Sequence, residues 1–326
     1  MVRSMVNKKN AADKEADKEC DKKSAAELGC ATRCGYVALL GAPNVGKSTL
    51  LNRLVGTKVS IVSPKVQTTR NRVLGIAVNG SDQIVYVDTP GIFIPKKRLD
   101  RAMVAAAWGG AADADVVVVL ADAKSGFDAD SRRIVVGLAG SGRCVFLALN
   151  KIDLVKRETL LQLSERFNKE GAFDQTFMIS ALNGDGVEAL FEAVRGRLPD
   201  GPWLFPEDQL TDIPQRLMAA EVTREKAFLQ LHQELPYAID VETESWIEQD
   251  NGDVRVEQTV YVRRDSQKAI VLGKGGSRIK AIGSAARADL EEMFGHRLHL
   301  FLHVKVRENW PESRAHYRGR GLDFDA

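Results

Sequence analysis

The run Gly41-Ala42-Pro43-Asn44-Val45-Gly46-Lys47-Ser48 has the spacing G-x-x-x-x-G-K-S. Glycine lets a backbone wrap an anion and point its N–H groups inward. Lys47 is placed to reach the β and γ phosphates of a nucleotide, and Ser48 to ligate Mg²⁺. An apolar run at 36–43 enters the loop, and a helix opens at its end, the context this motif requires. The motif alone does not separate ATP from GTP.

Asn150-Lys151-Ile152-Asp153 makes that separation. A carboxylate at Asp153 can accept hydrogen bonds from the ring N–H and the exocyclic amine of guanine. Adenine offers no such pair of donors and would leave a buried acid unpaired. Between the two motifs lie Gln67-Thr68-Thr69-Arg70 and Asp88-Thr89-Pro90-Gly91. Thr69 sits where a switch loop supplies a hydroxyl to Mg²⁺. Asp88 would hold the same ion through water, and the Gly91 N–H would sense the γ-phosphate. Ser180-Ala181-Leu182 follows a later apolar run and suits a backbone contact to the guanine oxygen. The expected nucleotide set is therefore Gly41 through Thr49, Asp88 through Ile92, Asn150 through Asp153, Ser180 and Ala181. Ser48, Thr69 and Asp88 are the expected metal set.

A second glycine loop, Gly273-Lys274-Gly275-Gly276, lies between two helical stretches. A G-x-x-G loop of this kind clamps the backbone of single-stranded nucleic acid in K-homology domains. The surrounding segment 263–287 carries seven basic residues against Asp265 alone. Over 214–326 the balance is 17 basic to 18 acidic, so the positive charge is concentrated at the loop. Gly273, Lys274, Gly275, Gly276, Arg278 and Lys280 are the expected RNA contacts.

The elements that must position these residues fall into two patterns. From Tyr36 to Leu198, apolar strand runs alternate with helical stretches. The runs 116–122 and 144–150 are apolar on both faces, as buried parallel strands are. Two runs, 73–78 and 83–88, flank Asn79-Gly80 and read as a hairpin. Four of the ten prolines fall in 199–214, which reads as a linker. Beyond it the order is helix, strand, strand, helix, helix, strand. Ile239, Val241 and Thr243 are expected to face inward and Asp240, Glu242 and Glu244 outward, with a bulge in the strand that follows. The expected organisation is a disordered tail at 1–34, an α/β P-loop nucleotide domain with a mixed, mostly parallel sheet at 35–201, a linker at 202–213, an α+β type II K-homology domain at 214–310, and a C-terminal tail at 311–326.

Composition excludes several classes. Hydrophobic residues make up 44% and charged residues 28%, which is globular rather than disordered. The formal charge is only +2, so any nucleic-acid signal must be local. No apolar run is long enough to span a bilayer, and the acidic start argues against a transit peptide. A cytoplasmic protein is expected. Of the cysteines, Cys20, Cys30, Cys34 and Cys144, none is spaced as a zinc or redox pair.

The order of the nucleotide motifs resembles translation-factor-like GTPases. With Phe205-Pro206-Glu207-Asp208-Gln209-Leu210-Thr211-Asp212 and the glycine loop added, residues 36–310 resemble the Era family. That resemblance implies GTP binding and hydrolysis. It also implies binding to the 3′ end of 16S ribosomal RNA, a role in small-subunit assembly, and peripheral association with the inner membrane. Lys47, Thr69, Gly91 and Asn44 are the residues it assigns to catalysis. Ile92 stands where many relatives carry a water-orienting Gln, so intrinsic turnover is expected to be slow. In related GTPases with this departure an Asn at the position of Asn44 can hold K⁺ beside the phosphates. No small-molecule substrate other than GTP is implied. Two other readings are a GTPase serving RNA modification through a partner enzyme and a passive RNA-binding module. The intact Lys47, Ser48 and Asp153 speak against the second.

Overall fold

The structure, a computed structural model, describes residues 32–65, 68–231, 235–308, 310, 314, 317 and 321–326. Most of the segment read as an N-terminal tail, with Cys20 and Cys30, lies outside them, as does Gln67.

The nucleotide domain is built on a six-stranded sheet of order β2-β3-β1-β4-β5-β6. Its strands are β1 (Arg33–Gly41), β2 (Val73–Asn79), β3 (Asp82–Asp88), β4 (Val116–Asp122), β5 (Cys144–Asn150) and β6 (Gln175–Met178). Only the β2–β3 pair is antiparallel, with Asn79 opposite Asp82 across a tight turn. Among the described residues, five helices cover the sheet: α1 (Lys47–Val55), α2 (Arg98–Ala112), α3 (Ala129–Leu138), α4 (Arg157–Glu170) and α5 (Val187–Arg195). Alternation sorts the side chains into two cores. Val37, Leu39, Val118 and Leu120 meet α1 and α5 through Leu50, Leu51 and Leu190. Ala38, Leu40, Val117 and Val119 meet α2, α3 and α4 through Ala107, Ile134 and Phe167. The central strand β1 has β3 on one side and β4 on the other, and ligands of such sheets bind beyond the strand ends at this point.

The second domain is helix α6 (Gln215–Gln230), then β7 (Asp240–Glu248), β8 (Val254–Val262), α7 (Asp265–Leu272), α8 (Ser277–Phe294) and β9 (Leu298–Val306). The three strands lie in the order β7-β8-β9, antiparallel then parallel. Phe228 of α6, Val271 of α7 and Ile282 of α8 share one core with Val241, Val260 and Val304 of the sheet.

Four expectations need correction. Strand β1 begins at Arg33, inside the segment read as tail, because Arg33 pairs with the buried Asp82 at 2.7 Å. The proline-rich linker is docked on the nucleotide domain: Ile76 N–H donates to Leu210 O at 2.9 Å, and Thr211 Oγ1 to Leu74 O at 2.7 Å, satisfying the open edge of β2. The C-terminal segment returns to the nucleotide domain, where Tyr317 and Leu322 pack with Ala102 and Met103 of α2. The bulge lies in β7, between Thr243 and Ser245, and Asp240 is buried rather than facing water.

Candidate functional site

Strand ends set out the nucleotide motifs along one edge of the sheet. The loop after β1 turns at Gly46, whose φ of 101° suits glycine and where a Cβ would run into Asn150 Nδ2. Asn150 ends β5 and is buried; its Nδ2 donates to Val45 O at 2.7 Å and stitches the two motifs together. Lys151 Nζ reaches Asn44 O and the Asp122 carboxylate, both at 2.7 Å. Asp122 was not singled out in the sequence, although it ends β4 directly beside Asn150.

Lys47, Ser48 and Thr49 line a cavity of about 490 Å³, with Pro43, Asn44, Gly46, Thr69, Gly91 and Lys151. Lys47 is buried and its Nζ donates to the carbonyls of Gly41 and Ala42 at 3.1 and 3.0 Å. Burial pulls its ammonium down to about 8 against the attraction of Asp88, so a phosphate here would meet a poorly solvated cation.

The three expected metal residues converge. Ser48 Oγ donates to Asp88 Oδ2 at 2.6 Å and lies 3.0 Å from Thr69 Oγ1, which is itself 3.4 Å from Asp88 Oδ2. Ser60 Oγ also donates to Asp88 Oδ2, at 2.9 Å. Ser60 carries no motif, and only folding places it there. Burial raises the Asp88 pKa, opposed by Lys47 and the three hydroxyls. Asp88 Oδ1 is buried with no hydrogen-bond partner among the described residues. A buried carboxylate with one oxygen unpartnered, its other oxygen met by the Ser48 and Thr69 hydroxyls, is a fitting donor set for hard, oxygen-loving Mg²⁺, directly or through water. Ser48, Thr69 and Asp88 would hold the ion, which would neutralise phosphate charge when bound.

Several residues of the expected set make contacts within the protein. Thr89 and Pro90 are buried, and Thr89 Oγ1 donates to Leu39 O at 2.8 Å. The Ile92 side chain is wholly buried in the sheet core, so it does not face the nucleotide, while its N–H donates to Gly41 O at 3.0 Å. Val45 is likewise a core residue, and Ile152 packs beside the other core. The Ala181 N–H donates to Asn150 Oδ1 at 2.9 Å and so orients Asn150. Ser180 Oγ donates to Asp153 Oδ1 at 2.6 Å. Asn44, with φ of 62°, donates its Nδ2 to Pro64 O at 2.9 Å, joining the phosphate loop to the segment before Thr69.

The second glycine loop closes α7 and opens α8. Gly273, Gly275 and Gly276 have φ of 71°, 58° and 78°, conformations that disfavour any side chain, and a Cβ on Gly275 or Gly276 would meet nothing. The backbone is thus open to close approach. Gly276 caps α8 without a side-chain bond, while its own N–H turns back to Gly273 O at 3.1 Å and the Ser277 N–H to Lys274 O, so the loop is held by its own backbone. Lys274 and Lys280 are exposed and Arg278 half-buried. Among the described residues none of the seven basic side chains of 263–287 is paired with a carboxylate. Ile270, 48% exposed three residues before the loop, is an apolar side chain that the sequence pattern did not single out.

The fold and the site define a P-loop GTPase joined to a K-homology domain. Models of two families match accordingly: a 50S ribosome-binding GTPase over residues 36–151 and a KH domain over residues 234–311. The chain is 59% identical to GTPase Era of Afipia carboxidovorans, with 90% of this chain and 95% of that one aligned. It is 58% identical to GTPase Era of Rhizobium meliloti, over 90% and 94%. The chain belongs to the GTPase Era family. A crystal structure of an Aquifex aeolicus Era variant bound to GDP·AlF₄⁻ superposes with a TM-score of 0.85 at 39% identity, over 89% of this chain and 99% of that one. An Era complex with MgGDPNP and nucleotides 1506–1542 of 16S ribosomal RNA gives 0.84 at 39% identity, over the same shares.

Proposed function

We propose that the protein is a GTP-hydrolysing switch that binds the single-stranded 3′ end of 16S ribosomal RNA and assists assembly of the small ribosomal subunit. The observation that carries the reading is the open glycine loop with its unpaired cations, held in one chain with an intact guanine-nucleotide site. The Era complex with 16S ribosomal RNA supports it. The 50S wording of the matching GTPase model describes the nucleotide domain alone, so it does not select the subunit.

Within the nucleotide site, Gly41 to Thr49 cradle the phosphates, Lys47 reaches the β and γ groups, and Asp153 reads guanine. Thr69 and the Gly91 N–H respond to the γ-phosphate. The Gly91 position supports this: a Cβ there would lie 2.8 Å from Pro43 N, so only glycine lets the strand end approach the phosphate loop so closely. With Ile92 turned into the core, no side chain after Gly91 orients water, and slow intrinsic turnover follows. K⁺ beside Asn44 would supply part of the missing positive charge; Asn44 lines the cavity, and its Oδ1 is the oxygen that would ligate the ion while its Nδ2 is held by Pro64 O. Peripheral inner-membrane association rests on family resemblance. No described helix is long and apolar enough to cross a membrane.

The test is filter binding of a 16S 3′-end oligonucleotide, single-stranded and as a duplex, over several salt concentrations. The variant carries Lys274→Asp and Gly275→Asp together. Single strands should bind and duplex should not. The variant should lose about tenfold or more in affinity and show a flatter salt dependence, while GDP affinity is retained. Equal binding of duplex and single strand, or full affinity in the variant, would sink the RNA reading.

A further inference from the structure

Arg70 follows the metal-side Thr69 by one residue, yet it is seated in the other domain. It is 2% exposed. Its guanidinium donates to Ile239 O at 3.0 Å and lies 3.6 Å from the Asp240 carboxylate, itself 1% exposed. The rings of Phe228 and Trp310 flank it, with centroids at 5.8 and 5.5 Å. An arginine in a loop that follows nucleotide state is ordinarily solvated. Here it is a plug in a pocket made by α6, the start of β7 and the segment after β9.

The two anchors are therefore one peptide apart, about 3.8 Å between Cα atoms. Thr69 Oγ1 is held at the phosphate site, 3.0 Å from Ser48 Oγ, and Arg70 in the K-homology domain. Thr69 cannot leave the phosphate site by a large step unless Arg70 is withdrawn or its domain follows. Withdrawal would strip Asp240 of its guanidinium partner in a place where water does not replace it. The loop is also held from the far side. Arg224 donates to Thr68 O, Lys65 to the carbonyls of Phe228 and Leu231, and Glu225 accepts Val62 N–H at 2.7 Å and Lys58 Nζ at 2.6 Å. These contacts explain why α6 is buried on all faces from Met218 to Glu225, with Glu221, Arg224 and Glu225 inside. Phe228 packs in one core with Val271 and Ile282, on the helices that carry the Gly273–Gly276 loop. Close-packed cores shift as units rather than deforming continuously.

We propose that Arg70 is a positioning residue that ties the place of Thr69 at the phosphate site to the seating of the K-homology domain, so that whatever coupling the switch has between nucleotide state and RNA, in affinity and in turnover, passes through this side chain. The inference rests on the switch reading above and names the side chain that transmits it. Linkage makes the effect reciprocal in affinity.

The test uses the full chain as wild type, Arg70→Ala, Arg70→Lys and Asp240→Asn. The last removes the charge from the K-homology side and leaves the switch loop unaltered. Three quantities are read: affinity for fluorescent GDP, affinity for the 16S 3′-end oligonucleotide in GDP against GDPNP, and kcat and KM for GTP with and without that RNA. In wild type the ratio of RNA affinities in the two nucleotide states should differ from one by about fivefold or more. In Arg70→Ala and Asp240→Asn it should collapse towards one and the RNA effect on kcat should vanish. GDP affinity and RNA affinity in GDP should stay within about twofold, because neither needs Thr69 at the metal. Arg70→Lys should fall between, since an ammonium keeps the charge but not the planar stack. Were Arg70→Ala to fail to fold, Asp240→Asn reads the same coupling. Wild-type discrimination in the variants, or an equal loss of RNA binding in both nucleotide states, would overturn the proposal and leave the switch reading standing. A wild type that binds RNA without discriminating nucleotides would overturn the switch reading and this proposal together.

Discussion

Asp153→Asn tests the guanine assignment through a detail of the site. Ser180 Oγ donates to Asp153 Oδ1 at 2.6 Å. In the variant the amide oxygen is the group that can accept this bond, so the oxygen is drawn to Ser180 and the NH₂ turns towards the base. Guanine presents two donors there, the ring N–H and the amine. A carboxylate accepts both, whereas the NH₂ accepts neither. Two hydrogen bonds to a charged group are lost, about 1.5–3 kcal/mol each, so GDP affinity should fall by about two to four orders of magnitude. Xanthine carries a carbonyl in place of the amine, which the NH₂ can meet, so affinity for XDP should rise. The assay is competitive titration of GDP and XDP against a fluorescent nucleotide in wild type and variant. Adding Ser180→Ala to Asp153→Asn frees the amide to flip and should return part of the GDP affinity. A variant that binds GDP within about threefold of wild type would show that Asp153 does not read the base.

The remaining predictions concern the phosphate end. Ile92→Ala should cost about 2–5 kcal/mol of stability, since the side chain is fully buried, yet leave single-turnover hydrolysis per folded molecule nearly unchanged; thermal unfolding and quench-flow separate the two, and a large rate loss would give Ile92 a direct role. Phosphate release should be faster in KCl than in NaCl at equal ionic strength if Asn44 helps hold K⁺, and equal rates would remove that ion from the site. Ser60→Ala should remove one bond to Asp88 Oδ2 and weaken Mg²⁺-dependent GTP binding by about five- to thirtyfold; an unchanged Mg²⁺ titration would make Ser60 incidental.

The chemistry of this chain was legible because its parts are short and contiguous. A run of eight residues forms the loop proposed to cradle the phosphates, and four more at the end of β5 carry the carboxylate proposed to read guanine. The same holds for the glycine loop between α7 and α8, where three left-handed conformations demand the glycines that are there. Parallel strands announced themselves as apolar on both faces, and both 116–122 and 144–150 match β4 and β5.

What sequence alone left undecided are contacts between residues far apart in the chain. Asp240 alternates with apolar neighbours as a solvent-facing residue does; it is buried because Arg70, 170 positions earlier, supplies its countercharge. Thr89, Ile92 and Ala181 sit inside nucleotide motifs, yet their side chains or N–H groups are taken by Leu39, the core and Asn150. Ser60 belongs to no motif, and only the path of the loop brings it to Asp88. Local sequence determines backbone conformation and which chemical groups exist, because those depend on neighbours one to four residues away. Burial of a charge depends on whether a partner arrives from elsewhere, and that is decided when the K-homology domain packs on the switch loop of the GTPase domain.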